Sequence, residues 1–290
     1  MSVERSPMDQ SQPTAPDRII FPVETIRSPE GNSISVSPER GGIITSLVLG
    51  GKELLYMDPN TFNNPDVNVK GGIPILFPNA GPLRLPEGHP LAKLKQHGFA
   101  RNSNRWQFTP NPDGSGFRES LTDQPASLQI FPYGFRLDIE GKFTEGGGFE
   151  LIPRATNSER DRSMPVSFGL HPYFRVPHDQ KHKIKFDFPG GENISPEPPA
   201  ENPNVASKID NPQVRNPETP LRVIIPQLGT LVMDISPIYR RIWVWSVPGS
   251  DFICIEPVMR DPGGLVDDPE MVPPEQSVSG RVNIRLEPEL

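Results

Sequence analysis

Three side chains in this sequence stand where proton transfer could be done: Glu256, His97 and His171. Glu256 closes the run Phe252-Ile253-Cys254-Ile255-Glu256-Pro257, which reads as a buried strand ending in a carboxylate. A period of two puts Phe252, Cys254 and Glu256 on one face. A carboxylate at a strand end in partly apolar surroundings holds its proton more tightly and suits a general base. The residues also allow Glu256 to be tied to backbone donors or to Arg260, and they offer Asp261 as the second carboxylate of a glycosidase-like pair. The sequence selects none of these.

His97 lies in Gln96-His97-Gly98-Phe99-Ala100-Arg101, and His171 in Ser167-Phe168-Gly169-Leu170-His171-Pro172-Tyr173-Phe174. Each borders an apolar stretch beside Gly or Pro, as a residue on a loop leaving a strand does. They are either partly buried histidines satisfied locally or imidazoles placed to move protons. His89, His178 and His182 have polar or charged neighbours and read as solvated. Zinc fits poorly, because His97 and His171 are far apart, Cys254 is the one cysteine, and no short-spaced ligand pair accompanies them. Arg101 and Lys70 are either surface salt-bridge charges or contacts to a ligand. Trp243 and Trp245 flank Val244 and share a face, which suits packing in a core better than stacking on a sugar ring.

The elements that must carry these groups read as strands. Ser33-Ile34-Ser35-Val36-Ser37 alternates with period two, Ile43 to Leu49 follows Gly41-Gly42, and Gly50-Gly51 reads as a hairpin turn before Glu53 to Tyr56. Gly72-Ile73-Pro74-Ile75-Leu76-Phe77-Pro78 is apolar but bracketed by prolines, which suits a rigid irregular segment. Further strands are expected over 106–108, 127–130, 135–143, 149–156, 166–169, 183–188, 221–225, 230–235, 241–247, 252–256 and 279–286. Helices are expected to be a turn or two at most. Residues 190–220, crowded with Pro, Asn and Glu and poor in apolar residues, read as a long surface excursion and not a linker between domains, because strand patterns continue on both sides.

The 290 residues include 38 Pro and 25 Gly. Proline is excluded from helix interiors and central strands, so the chain is expected to be all-β: a leader over residues 1–18, expected to be disordered, then one β-sandwich domain over 19–290. A net charge of −7 argues against nucleic-acid binding. No apolar run reaches the roughly 20 residues of a membrane helix. The single cysteine fits a reducing compartment, hence a cytoplasmic location.

Taken in order, four stretches resemble the aldose 1-epimerase (mutarotase) family, in particular its branch related to glucose-6-phosphate 1-epimerases. They are Gly71-Gly72-Ile73-Pro74-Ile75-Leu76-Phe77-Pro78; His97-Gly98-Phe99-Ala100-Arg101-Asn102 with Trp106; Gly169-Leu170-His171-Pro172-Tyr173-Phe174; and Ile255-Glu256-Pro257. The resemblance implies a large antiparallel β-sandwich, the galactose mutarotase-like supersandwich, with its site in a cleft on one sheet. It implies His171 as general acid, Glu256 as general base and His97 as a helper near the ring oxygen. Arg101, Lys70 and Gln96 are the expected substrate contacts. Lys70 stands where the sugar-phosphate branch has arginine, and lysine holds a phosphate without the bidentate fork. The implied reaction opens a hemiacetal ring and recloses it from the other face, with no metal or organic cofactor. The implied partner is a small sugar or sugar phosphate, bound by a monomer or homodimer. For that reaction Glu256 is expected ionised and His171 protonated. A non-catalytic carbohydrate-binding protein of the same fold is the alternative, followed by a subunit of a larger assembly and a glycosidase.

Overall fold

The computed structural model describes residues 21–198, 201–202 and 205–287. The expected leader over 1–18 and the expected start of structure near Ile19 lie outside the described residues. Among the described residues no helix is long and apolar enough to cross a membrane.

Short antiparallel strands make up the described chain. Glu24–Arg27, Ser33–Ser37, Ile43–Leu49 and Lys52–Glu53 form a four-stranded meander. A large sheet runs in the order Lys185–Asp187, Leu221–Ile225, Gly229–Ile235, Val282–Leu286, Gly148–Asn157, Phe135–Thr144, Gly116–Thr122 and Gln107–Pro110, with Ser277–Ser279 beside Gly148–Asn157. A third sheet, whose strand Phe252–Val258 carries Glu256, runs in the order Ser207–Asp210, Arg241–Trp245, Phe252–Val258, Gly169–Leu170 and Ile75–Leu76, with Tyr173–Arg175 also on Phe252–Val258. Met164–Val166 pairs with Glu270–Val272. One apolar cluster reaches from Ile26 to Ile284, joining the sheets through Phe77, Phe117, Phe135, Phe149 and Phe174.

The alternation that makes a sandwich is visible in Phe135–Thr144, where Phe135, Leu137, Ile139 and Gly141 face inward and the residues between them are more exposed. Phe252–Val258 departs from it, because all seven of its residues are buried. It lies between Arg241–Trp245 on one side and Gly169–Leu170 and Tyr173–Arg175 on the other. An inner strand covered on both faces is the element on which a carboxylate can be desolvated.

Several strand expectations are corrected. Residues 127–130 do not form a strand: Pro125–Leu128 is a helical turn, started by a proline in its first turn and by the Gln124 amide donating to Ser127 Oγ at 2.8 Å. The strand expected over 166–169 is broken at Ser167–Phe168, between Met164–Val166 and Gly169–Leu170. The strand expected over 183–188 is shortened to Lys185–Asp187 behind the 3₁₀ segment His178–Lys183. The excursion over 190–220 holds a strand, Ser207–Asp210, hydrogen-bonded to Arg241–Trp245. Beyond it Asn211 Nδ2 donates to Tyr239 O at 2.8 Å, and Gln213 accepts from the Ile235 amide at 2.6 Å, anchoring the segment.

Candidate active site

Glu256 is set by its strand, where it is the cross-strand partner of Trp243, while Cys254 is the partner of both Trp245 and Tyr173. His171 follows the two-residue strand Gly169–Leu170, and its amide donates to Pro74 O at 3.1 Å. These two elements are neighbours in the sheet, and the side chains meet: His171 Nε2 lies 3.5 Å from Glu256 Oε1. The groups are 4% and 2% exposed, yet both open into one cleft of about 930 Å³.

Burial dominates the electrostatics of the pair. It pushes the Glu256 carboxyl up to about 8, against the Arg101 guanidinium, which favours the carboxylate. Burial also pushes His171 well below its ordinary value, helped by His97 and Arg101. Both shifts favour the neutral pair, with the proton on Glu256, over the carboxylate and imidazolium expected for the reaction. Mutual attraction operates only when both groups are charged, and two charges stripped of water cost more than that attraction returns.

His97 enters from a different element. Its backbone is left-handed, with φ 68°, and Gly98 follows at φ 67°. Gly98 is required there, because a Cβ would overlap the carbonyl of Phe77, with which it is bridged. The turn brings the His97 ring to 5.5 Å from that of His171. The Gly81 amide donates to His97 Nδ1 at 3.2 Å, and Gln96 Nε2 lies 3.0 Å from His97 Nε2. A ring nitrogen that accepts from a backbone N–H is unprotonated, so the neutral ring carries its proton on Nε2, which requires the Gln96 amide to be turned with Oε1 toward it. Burial, then Arg101, push His97 down to about 3. His97 is thus a neutral hydrogen-bond donor.

Arg101, 7% exposed, lines the same cleft, and no side-chain hydrogen bond or ion pair holds its guanidinium among the described residues. Its loop is seated by Trp106 Nε1, which donates to Ala100 O at 3.0 Å. Lys70 and Gln96 stand exposed at the cleft wall, Gln96 engaged with His97. Trp243 packs in an apolar cluster with Leu76, Ala80 and Val258, as expected, and Trp245 packs against Tyr173 and Phe252; both also line the cleft. Arg260 is not the partner of Glu256. It pairs with Asp268 at 2.9 Å and with Glu270 at 3.2 Å, and Asp261 is held by Arg241 at 3.1 Å.

Arg84, Tyr173, Lys208 and Asp267 are among the cleft residues that escaped the sequence reading. Tyr173 lay inside a quoted motif with no role assigned. Lys208 lies in the segment taken for a bare excursion, and its ammonium sits 5.3 Å from the Trp243 ring centre. Asp267 lies on the wall beside Pro262, Gly263 and Val266. Donor atoms of Cys254, His171 and Glu256 also fall within 4.8 Å of one another, a proximity that chain spacing concealed. Burial keeps the Cys254 thiol protonated.

The sequence profile of the family described as aldose 1-epimerase matches residues 22–188, more than half of the chain. The chain belongs to the aldose 1-epimerase family. Within that family it is 30% identical over 146 residues to the "Putative glucose-6-phosphate 1-epimerase" of Cenchrus ciliaris, a match covering 47% of this chain and 42% of the relative. It is 29% identical over 147 residues to the chromosomal protein LacX of Lactococcus lactis, covering 47% and 46%. The matched stretch thus spans less than half the length of these curated relatives. Among solved structures, the Slr1438 protein of Synechocystis sp. PCC 6803 superposes with TM-score 0.74 at 26% identity, covering 92% of this chain and 96% of that one. A galactose mutarotase-like protein of Lactobacillus casei gives TM-score 0.66 at 20% identity, covering 92% and 100%. The fold of this epimerase-family chain is the large antiparallel β-sandwich of galactose mutarotase-like proteins.

Proposed function

We propose that this protein is an aldose 1-epimerase that interconverts the α and β anomers of a hexose, with Glu256 as base and His171 as acid. The observation that carries the reading is the contact of Glu256 with His171 at 3.5 Å, opening into a cleft. A sugar seated over the pair offers the anomeric hydroxyl to Glu256 and the ring oxygen to His171. In the reactive arrangement the shared proton sits on His171, and Arg101 favours the resulting carboxylate. Glu256 takes the proton from O1 while His171 gives its own to the ring oxygen. The bond from C1 to the ring oxygen breaks and an aldehyde forms at C1. Rotation about C1–C2 and closure with the transfers reversed give the other anomer.

The resting proton placement has a use in this scheme. Protonated Glu256 beside neutral His171 is the state the pair reaches when the ring has opened. Desolvation makes Glu256 a stronger base and His171 a stronger acid, so the site favours the open-chain form over the state that precedes it. His97, neutral, can hold a sugar oxygen at Nε2 by exchanging Gln96 for it, without competing for the proton.

The cleft wall points to an anionic sugar. Lys70, Arg84, Arg101 and Lys208 line it against Glu256 and Asp267, in a chain whose net charge is −7. A hexose phosphate fits that balance, with Lys70 acting as a point charge where the sugar-phosphate branch has arginine. Two-dimensional exchange NMR of glucose, galactose and glucose 6-phosphate, with and without protein, tests both parts. Accelerated α–β exchange with the phosphate ester fastest is the expected result. Exchange at the spontaneous rate for all three contradicts the reading.

A further inference from the structure

The His171 imidazole has a polar partner on one side only. Nε2 faces Glu256 at 3.5 Å, whereas Nδ1 is buried without a hydrogen-bond partner among the described residues. A catalytic histidine is ordinarily oriented through the hydrogen bond of its second nitrogen. Rotation of this ring about its Cβ–Cγ bond must be restrained by packing instead.

The packing is present. Tyr173 lies flat against the imidazole, with ring centres 4.7 Å apart and planes 8° from parallel. Trp245 meets the imidazole edge-on at 6.0 Å and 85°, and His97 at 5.5 Å and 73°. Tyr173 is itself immobilised. It pairs with Cys254 in the sheet, and its ring packs 4.9 Å from Phe252 within an apolar cluster that also takes in Tyr56, Trp245 and Val247. Pro172, between the two stacked residues, fixes one backbone angle of the linkage. The Tyr173 side is therefore a rigid surface, and the imidazole plane is set by it.

We propose that Tyr173 is the positioning residue of His171, its ring rather than its hydroxyl holding the imidazole so that Nε2 stays on Glu256 and the cleft. The proposal rests on the epimerase reading of the site. It assigns Tyr173 no proton transfer, in keeping with burial that holds the phenol protonated. A displacement of about 1 Å in a reacting group can cost about 10²-fold in rate, so losing the stack should be read mainly in turnover.

Tyr173→Leu removes the stack, and Tyr173→Phe keeps it. For Tyr173→Leu the expected result is a kcat lower by roughly 10- to 100-fold with KM changed by less than about threefold. Tyr173→Phe should restore kcat to within about threefold of the parent, with a pH profile of kcat/KM that overlays it. The His171 ring-proton resonances, displaced in the parent by the Tyr173 ring current, should keep their positions in the Phe variant and move in the Leu variant. A Phe variant as slow as the Leu variant, or one with a shifted pH profile, overturns the proposal, because the hydroxyl would then be acting. Parental kcat in a folded Tyr173→Leu protein, or His171 resonances that do not move in it, overturns it as well. If the Leu variant does not fold, Tyr173→Met, which also lacks the ring, replaces it with the same expected and contrary results. The resonance measurement needs no turnover, so a parent without anomer exchange would refute the epimerase reading while still testing how His171 is held.

Discussion

Glu256 and His171 are moved in opposite directions by the same removal of water, and this fixes how activity should depend on pH. The pair needs its single proton. With the Glu256 carboxyl at about 8, that proton is lost as pH rises through 8, so kcat/KM should hold at neutral pH and fall tenfold per pH unit well above 8. On the acid side a second proton would have to enter His171, which burial holds well below its ordinary value, so activity should persist below pH 6. Arg101 favours the carboxylate, and its removal lets Glu256 keep the proton to higher pH. Arg101→Met should therefore move the alkaline limb upward; a limb that stays put or moves down contradicts the assignment. Glu256, His171, His97 and Arg101 stand in motifs visible in the sequence, and all four line the cleft; what each does there is the proposal above. The location of the proton could not be read from the sequence. It depends on how completely strands distant in sequence exclude water, and burial favours the neutral pair at rest.

The strands and turns fix these groups through a few positions that tolerate no side chain. Gly98 carries φ 67° with the Phe77 carbonyl where a Cβ would go. Gly98→Ala should cost roughly 2–4 kcal/mol, the sum of a left-handed penalty and overpacking, and should displace His97. Urea denaturation checks the first and anomer exchange the second. Glu119 is a second such element-level device. It is 1% exposed, neither oxygen has a partner among the described residues, and it packs beside Trp106, which seats the Arg101 loop. Burial raises its carboxyl well above the ordinary 4.5. The unfolded chain ionises at 4.5 and the folded chain does not, so stability falls as pH rises from 4.5 toward the folded value. One such group contributes about 1.4 kcal/mol per pH unit over that window. Glu119→Gln should flatten the decline in unfolding free energy between pH 5 and 7, and an unchanged slope would contradict the buried, neutral assignment. Strands with long alternation, such as Phe135–Thr144, were legible from sequence. Ser207–Asp210 was not, because four residues at a sheet edge among prolines carry too little alternation to register. Pro125–Leu128 was misread because its apolar residues are solvent-facing, where a capped turn prevails over strand propensity.

At the scale of the molecule, an acidic chain presents a cleft where Lys70, Arg84, Arg101 and Lys208 outnumber Glu256 and Asp267. Such a field draws an anion and is weakened by salt over a Debye length of about 10 Å at 0.1 M. Raising sodium chloride from 10 to 500 mM should lower kcat/KM for glucose 6-phosphate several-fold and leave that for glucose nearly constant. Equal responses would remove the case for an anionic substrate. In the proposed epimerase the sandwich serves to bring the Glu256 carboxylate against the His171 imidazole and to keep water off both. Exchange NMR of the anomers with folded Glu256→Gln beside the parent tests that directly. Loss of the base should slow enzyme-driven exchange by about 10²–10⁴-fold with the fold intact, whereas parental exchange in the folded variant would mean that Glu256 moves no proton.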